Sequence, residues 1–312
     1  MATNKNNIVL LTIILAGVFL VSGCAQPQQQ KTVDFGFPTG QDAVSLNFEA
    51  NQPPATVISG EEFPIAVTVK NIGGSNINSV NVILEGLGSS YKVTPGFAQS
   101  TGELLGRVRT SDKNEIPGSF ESVVFDVTPM LLSGAQALET HIYATAIYPF
   151  ETTAVSTLCV SSKQQSSGQK SICNSVGKKD VGTKAGPIKV TSIDQARGTV
   201  LITVENVGKG DPFVNIPVGP KEPKYGPSLL PGDISPNSEK DRIELTKVEL
   251  GANNKLIDCG APKEIRLIDG KASFSCKTTF DNVKAEAAEP LVLTFNYGYM
   301  QQVDKIIKLE QQ

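Results

Sequence analysis

The sequence predicts an all-β protein, built as two antiparallel β-sandwiches in tandem, and three observations carry that prediction. Short segments alternate apolar and polar residues with a period of two, as a strand does when it buries one face. Gly, Pro and Asn interrupt these segments at the spacing of a sandwich, and helical periodicity of any length is missing. One stretch also recurs: Val67-Thr68-Val69-Lys70-Asn71-Ile72-Gly73-Gly74 returns as Ile202-Thr203-Val204-Glu205-Asn206-Val207-Gly208-Lys209. A chain of 312 residues is long enough to bury two cores.

The N-terminus is read first as an address. Lys5 precedes an apolar run from Ile8 to Val21, too short for a confident transmembrane helix of about 20 residues and ending in small residues. Residues 1–23 are therefore expected to be a signal peptide and the chain to be exported. Val21-Ser22-Gly23-Cys24 resembles the lipobox of exported lipoproteins: aliphatic, small, small, Cys. The resemblance implies cleavage before Cys24 and a lipid on its thiol. An uncleaved anchor, or a plain signal peptide with Cys24 incidental, are the alternatives. Residues 24–40, with Gln26-Pro27-Gln28-Gln29-Gln30, read as a polar, flexible tether.

The first module is expected over 41–160. Phe63, Ile65, Val67 and Val69 share one face of a strand, and Val80, Val82 and Leu84 do the same. Val123–Val127 and His141–Tyr148 follow. The second module is expected over 186–312, with a linker at 161–185 rich in Ser, Gln, Lys and Gly. In the repeated stretch, Asn and Gly end a strand because both tolerate positive φ and Asn bonds its own backbone. Ala146-Ile147-Tyr148-Pro149-Phe150 parallels Phe295-Asn296-Tyr297-Gly298-Tyr299 near each module's end, each followed by a final strand.

The pattern V-x-V-x-N-x-G resembles the second strand of Ig-like domains of cell-surface proteins, the CARDB group among them. More of the chain is similar to uncharacterised archaeal surface lipoproteins. That resemblance covers Phe37-Pro38-Thr39-Gly40, Gln52-Pro53-Pro54, Tyr148–Thr152 with Cys159, and Leu291 to Tyr299. A cysteine often precedes the Tyr-Pro-aromatic motif in such proteins, and Ile147 stands there in this chain. The resemblance implies two tandem Ig-like domains and a surface location, and no activity.

With Cys24 assigned to lipid, Cys159, Cys173, Cys259 and Cys276 remain, and four cysteines allow three connectivities. Pairing within short segments closes small loops, which favours Cys159–Cys173, clipping the linker, and Cys259–Cys276. Zinc sites carry closer spacings, and an exported chain meets an oxidising compartment. No metal or cofactor is expected.

A net charge of −3 and a pI near 5.4 argue against nucleic acid, and Trp is absent. His141 is the single histidine, so triad, Cys-His and His-rich metal chemistries would each rest on one residue. Neither G-x-S-x-G, H-E-x-x-H nor a P-loop occurs, and Gly210-Asp211-Pro212 and Asp281-Asn282 lack the EF-hand pattern. An enzyme is not expected. Tyr148, Phe150, Tyr297 and Tyr299 are read as core before ligand platform. Pro212–Asp241 holds seven prolines, and its Tyr225, Leu229 and Leu230 are the preferred partner contact. Arg107 and Arg109, with Lys113, form a second candidate, for an anionic polymer or a lipid surface.

The expectation is a non-enzymatic, lipid-anchored protein on the outer face of the cell membrane. It would bind another envelope protein in adhesion or envelope assembly. The alternatives are a solute- or glycan-binding lipoprotein and an accessory subunit of a secretion or pilus machine.

Overall fold

The computed structural model describes residues 33–130, 137–161, 171–214, 240–251, 256–280, 283 and 286–311, which are strand, turn or loop apart from 3-10 conformation at Gly88–Ser90, Leu256 and Phe280. The first half carries β1 (Val44–Phe48), β2 (Thr56–Ile58), β3 (Phe63–Asn71), β4 (Asn81–Glu85) and β5 (Tyr91–Thr94). It continues through β6 (Ala98–Ser100), β7 (Val108–Arg109), β8 (Glu115–Ile116), β9 (Phe120–Pro129) and β10 (Ala137–Val160). The second half carries β11 (Gly177–Lys179), β12 (Val181–Thr183), β13 (Ile188–Ala196), β14 (Thr199–Asn206) and β15 (Asp211–Phe213). It ends with β16 (Arg242–Leu250), β17 (Ile257–Asp258), β18 (Lys263–Arg266), β19 (Lys271–Thr278) and β20 (Ala287–Glu310).

The central sheet has the order β18-β16-β20-β10-β4-β6, with β2 and β15 on β20 and β12 on β10. Its spine is the antiparallel pair β10–β20, each 24 residues long, in unbroken register from Ala137↔Glu310 to Val160↔Ala287. At about 3.3 Å per residue each spans roughly 80 Å. Alternation explains how so long a strand stays in register. Every even-numbered residue of β10 from Thr140 to Val160 is buried. A slip of one residue would turn that whole set outward. Opposite them, Leu291, Leu293, Phe295, Tyr297 and Tyr299 of β20 are fully buried. Pro149 sits where β10 has no strand on its second side, between the β4 pairing that ends at Ile147 and the β12 pairing that begins at Ala154. A missing N–H leaves no ladder bond unmade there.

Two smaller sheets, β1-β3-β9-β5 and β11-β13-β14-β19-β17, pack against this spine. Their orders repeat: β1, β3, β9 and β5 correspond to β13, β14, β19 and β17, and β4, β6 and β10 to β16, β18 and β20. The repeated stretch ends β3 and β14 with the same bonds. Asn71 Oδ1 accepts from Gly73 N–H at 2.9 Å and its Nδ2 donates to Ser75 O at 2.9 Å. Asn206 Oδ1 accepts from Gly208 N–H at 3.2 Å and its Nδ2 donates to Gly210 O at 2.8 Å.

The glycine in the repeat has a different cause from the one its sequence context implies. Neither Gly73 nor Gly208 has a positive φ. A Cβ on Gly73 would lie 2.7 Å from Phe150 Cζ, and one on Gly208 2.4 Å from the Tyr299 hydroxyl. Each glycine admits an aromatic ring from the spine. Tyr148 and Phe150 meet Tyr299 and Tyr297 across the register, with neighbouring centroids 5.9 and 6.1 Å apart. All four are buried, so they are core.

The expected boundaries do not coincide with a break in the structure. Val33–Gln312 form one compact unit, and one core cluster draws on both halves. The two aromatic motifs lie at the middle of β10 and β20, not before a separate final strand. Residues expected as linker carry β11 and β12, which pair with β13 and β10.

Candidate functional site

The segment from Asp34 onward is fixed rather than free. Asp34 Oδ1 accepts from Gly36 N–H at 3.0 Å and from Arg109 Nη1 at 2.8 Å. The Gly36 N–H foremost, and then the Arg109 guanidinium, hold this exposed carboxyl below the usual carboxylate range. Phe35 lies on Gly182 of β12, where a Cβ would come within 2.5 Å of its ring. Arg107 Nη1 donates to Thr39 O at 2.8 Å and to Ile72 O at 3.3 Å, while its Nη2 pairs with Glu115. The tether expected over 24–40 is thus docked from Asp34 onward. Arg107 and Arg109, expected to meet an anion, are turned to this inward work.

Both arginines lie in the β7–β8 hairpin and its approach, where Val108 pairs with Ile116. Beside the charged turn at Asp112 and Lys113, the same hairpin exposes this apolar pair. Those two side chains are 55% and 53% exposed, and Leu105 and Phe120 at the hairpin's base are 54% and 67% exposed. Ser119 closes the base, its N–H donating to Leu105 O at 3.0 Å and its hydroxyl accepting from Leu105 N–H at 2.7 Å. Val33 is itself 54% exposed. Sequence reasoning singled out the charges of this loop and passed over Val108 and Ile116. Their signal was weak: two apolar residues flanking a polar turn.

Both disulfides follow the local pairing favoured from sequence. Cys159–Cys173 has a Cα separation of 5.5 Å and Cys259–Cys276 one of 4.1 Å. Disulfides persist in oxidising, extracellular surroundings, and that is the setting they indicate for this chain. Glu286 lies beside the first, accepting from Ile172 N–H at 3.0 Å and from the Ser171 hydroxyl at 2.5 Å. Cys159, Cys173 and Glu286 gather like a metal site. The two sulfurs bond each other, however, so neither is a thiolate ligand.

His141 stacks on Tyr143 with centroids 6.4 Å apart and planes 20° apart, in an open depression of about 390 Å³ that Tyr91 and Glu139 also line. The Tyr91 hydroxyl bonds Thr140 Oγ1 at 2.8 Å. Burial pushes the hydroxyls of Tyr148, Tyr297 and Tyr299 far above the ordinary tyrosine range, so each stays protonated in the fold. Cys24, Tyr225, Leu229 and Leu230 lie outside the described residues. Among the described residues, no helix is long and apolar enough to cross a membrane.

No family model matches this chain, and no curated protein matches it. Among solved structures, AvmM, which catalyses macrocyclisation in alchivemycin A biosynthesis, is similar at 18% identity over 49% of this chain and 93% of its own, with a TM-score of 0.20. Escherichia coli alpha-2-macroglobulin activated by porcine elastase is similar at 9% identity over 86% of this chain and 32% of its own, with a TM-score of 0.14. Neither likeness carries an argument about this chain.

Proposed function

We propose that this protein is an exported, lipid-anchored component of the cell envelope that acts by binding and not by catalysis. Cys24 carries the lipid, and the β-body is held on the outer face of the membrane to meet another envelope protein in adhesion or assembly. Each half is an Ig-like sandwich of the CARDB kind, and the two are fused through β10 and β20. The observation that carries the reading is the order of the N-terminal segment: apolar run, Val21-Ser22-Gly23-Cys24, then a polar tract that ends at a docked entry. The disulfides support it, since an envelope face is oxidising.

Mass spectrometry of the N-terminal peptide from membrane-extracted protein tests this directly. The expected peptide starts at Cys24 and carries acyl mass, and Cys24→Ser leaves an unprocessed precursor or a protein released to the soluble fraction. An N-terminus elsewhere, with an unmodified Cys24, overturns the anchor. Cross-linking on intact cells tests the binding role: a specific protein adduct is expected, and a bound sugar with no protein adduct refutes it.

A further inference from the structure

We propose that the β7–β8 hairpin is a membrane-docking element that seats Val108 and Ile116 in the interface of the bilayer holding Cys24. The inference rests on the lipid-anchor reading and adds to it an orientation and a lipid-contacting surface.

Tether length comes first. Nine residues, Cys24 to Thr32, precede Val33. Nine residues reach at most about 30 Å even at full extension. The bilayer surface therefore lies close to wherever Val33 leaves the body. That place is fixed, because Asp34, the next residue, is bonded to Arg109 of the hairpin itself. The hairpin is thus held beside the membrane-facing end of the chain.

Chemistry comes second. Val108 and Ile116 are cross-strand partners, so their side chains stand together on one face of the ribbon, and each is more than half exposed. Leu105, Phe120 and Val33 add exposed apolar surface around the base. Exposed apolar side chains grouped this way mark a protein or membrane contact. Position beside the tether decides for the membrane. Arg107 is paired with Glu115 and Arg109 with Asp34, while the turn between the two strands carries exposed Asp112 and Lys113, one charge of each sign, at the level of the lipid headgroups. A ribbon whose paired strands place apolar side chains at the headgroup–acyl boundary adds a weak contact to the lipid anchor, and two such contacts hold a body far more steadily than one.

The absence of Trp from the sequence makes a clean test. Full-length protein carrying Val108→Trp, or Ile116→Trp, is purified with its lipid and reconstituted in phosphatidylglycerol-containing vesicles with brominated acyl chains. Ile306→Trp, at a 50% exposed site on β20, is the control. Bromine quenching of at least half the Val108→Trp and Ile116→Trp emission, with a blue shift, is expected, against under a tenth for Ile306→Trp. Equal quenching at all three positions, or none at the hairpin in protein that co-floats with the vesicles, overturns the docking while leaving the anchor intact. Protein that neither floats nor carries acyl mass on Cys24 overturns the anchor and the docking together. Intact disulfides in each variant, shown by non-reducing peptide mapping, establish that the reporter sits on folded protein.

Discussion

Asn71→Ala is the sharpest test of the repeated turn. Asn71 is fully buried, and its amide makes three bonds at 2.9 Å: Nδ2 to Ser75 O, Nδ2 to Leu104 O, and Gly73 N–H to Oδ1. The three losses are unequal. Leu104 O keeps a second donor in Ile77 N–H at 2.9 Å, and Gly73 N–H keeps a second acceptor in Ala43 O at 2.9 Å. Each of these gives up about 0.5–1 kcal/mol, whereas Ser75 O loses its amide partner at a cost of about 1–3 kcal/mol. The sum is about 3 kcal/mol, which lowers Tm by roughly 6–12 °C in a body of this size. Asn206 is the internal control. It holds Gly210 O, Gly208 N–H and the Tyr299 hydroxyl, but it is half-buried, so water replaces part of what Ala removes. Asn206→Ala should cost about half as much. Equilibrium denaturation followed by circular dichroism reads both variants. An Asn71→Ala loss under about 1 kcal/mol, or a larger loss for Asn206→Ala, would falsify the account of the turn.

Two further outcomes are expected. Replacing Cys259 and Cys276 together by Ala removes a link across a sequence separation of 17, and should cost about 3 kcal/mol by the chain-entropy estimate; an unchanged melting temperature counts against it. Alkaline pH should destabilise the fold. Burial raises the pKa values of Tyr148, Tyr297 and Tyr299 above that of the unfolded chain. Below about pH 10 both states hold those protons and the contribution is complete; above it only the unfolded chain releases them. Stability should then fall by roughly 4 kcal/mol per pH unit for three tyrosines. Absorbance at alkaline pH checks this: three of the six tyrosines should ionise only as the fold is lost, and smooth ionisation of all six in folded protein refutes it.

Faces were legible in the sequence where neighbours were not. Alternation through Phe63–Val69 and His141–Tyr148 identifies which side chains are buried, because the pleat forces that choice locally. It carries no information about which strand lies alongside, so the 24-residue β10–β20 ladder was invisible. Pro149 removes a ladder donor inside β10, and the gap between β4 and β12 absorbs it. Cysteine pairing was readable because short loops limit the choices. The intramolecular partners of the arginines were hidden for the opposite reason. Arg107 reaches Thr39 across 68 positions, and nothing local to a charged loop reveals a distant backbone carbonyl. The apolar pair Val108 and Ile116 became noticeable only once those charges were seen to be occupied.

The shared spine changes what an anchor at the N-terminus can do. Two modules on a free linker would turn independently, and a tether on the first would leave the second unoriented. In this chain β10 and β20 would have to part along their whole ladder for the halves to separate, and the ring cluster at its centre draws Tyr148 and Phe150 from one half and Tyr297 and Tyr299 from the other. The entry segment sits on the seam. Asp34 is held by Arg109 of the first half while Phe35 rests on Gly182 of the second. Nearby, Gly74 N–H donates to Ala185 O at 2.8 Å and Lys209 N–H to Asp42 Oδ1 at 3.1 Å, tying the halves again. A pull or a tilt applied through Val33 is therefore delivered to both halves together. Opening the entry requires breaking contacts on both sides of the seam, so its local stability is coupled to that of the spine. A surface displayed far from Val33 on one half therefore keeps a fixed bearing relative to the other half.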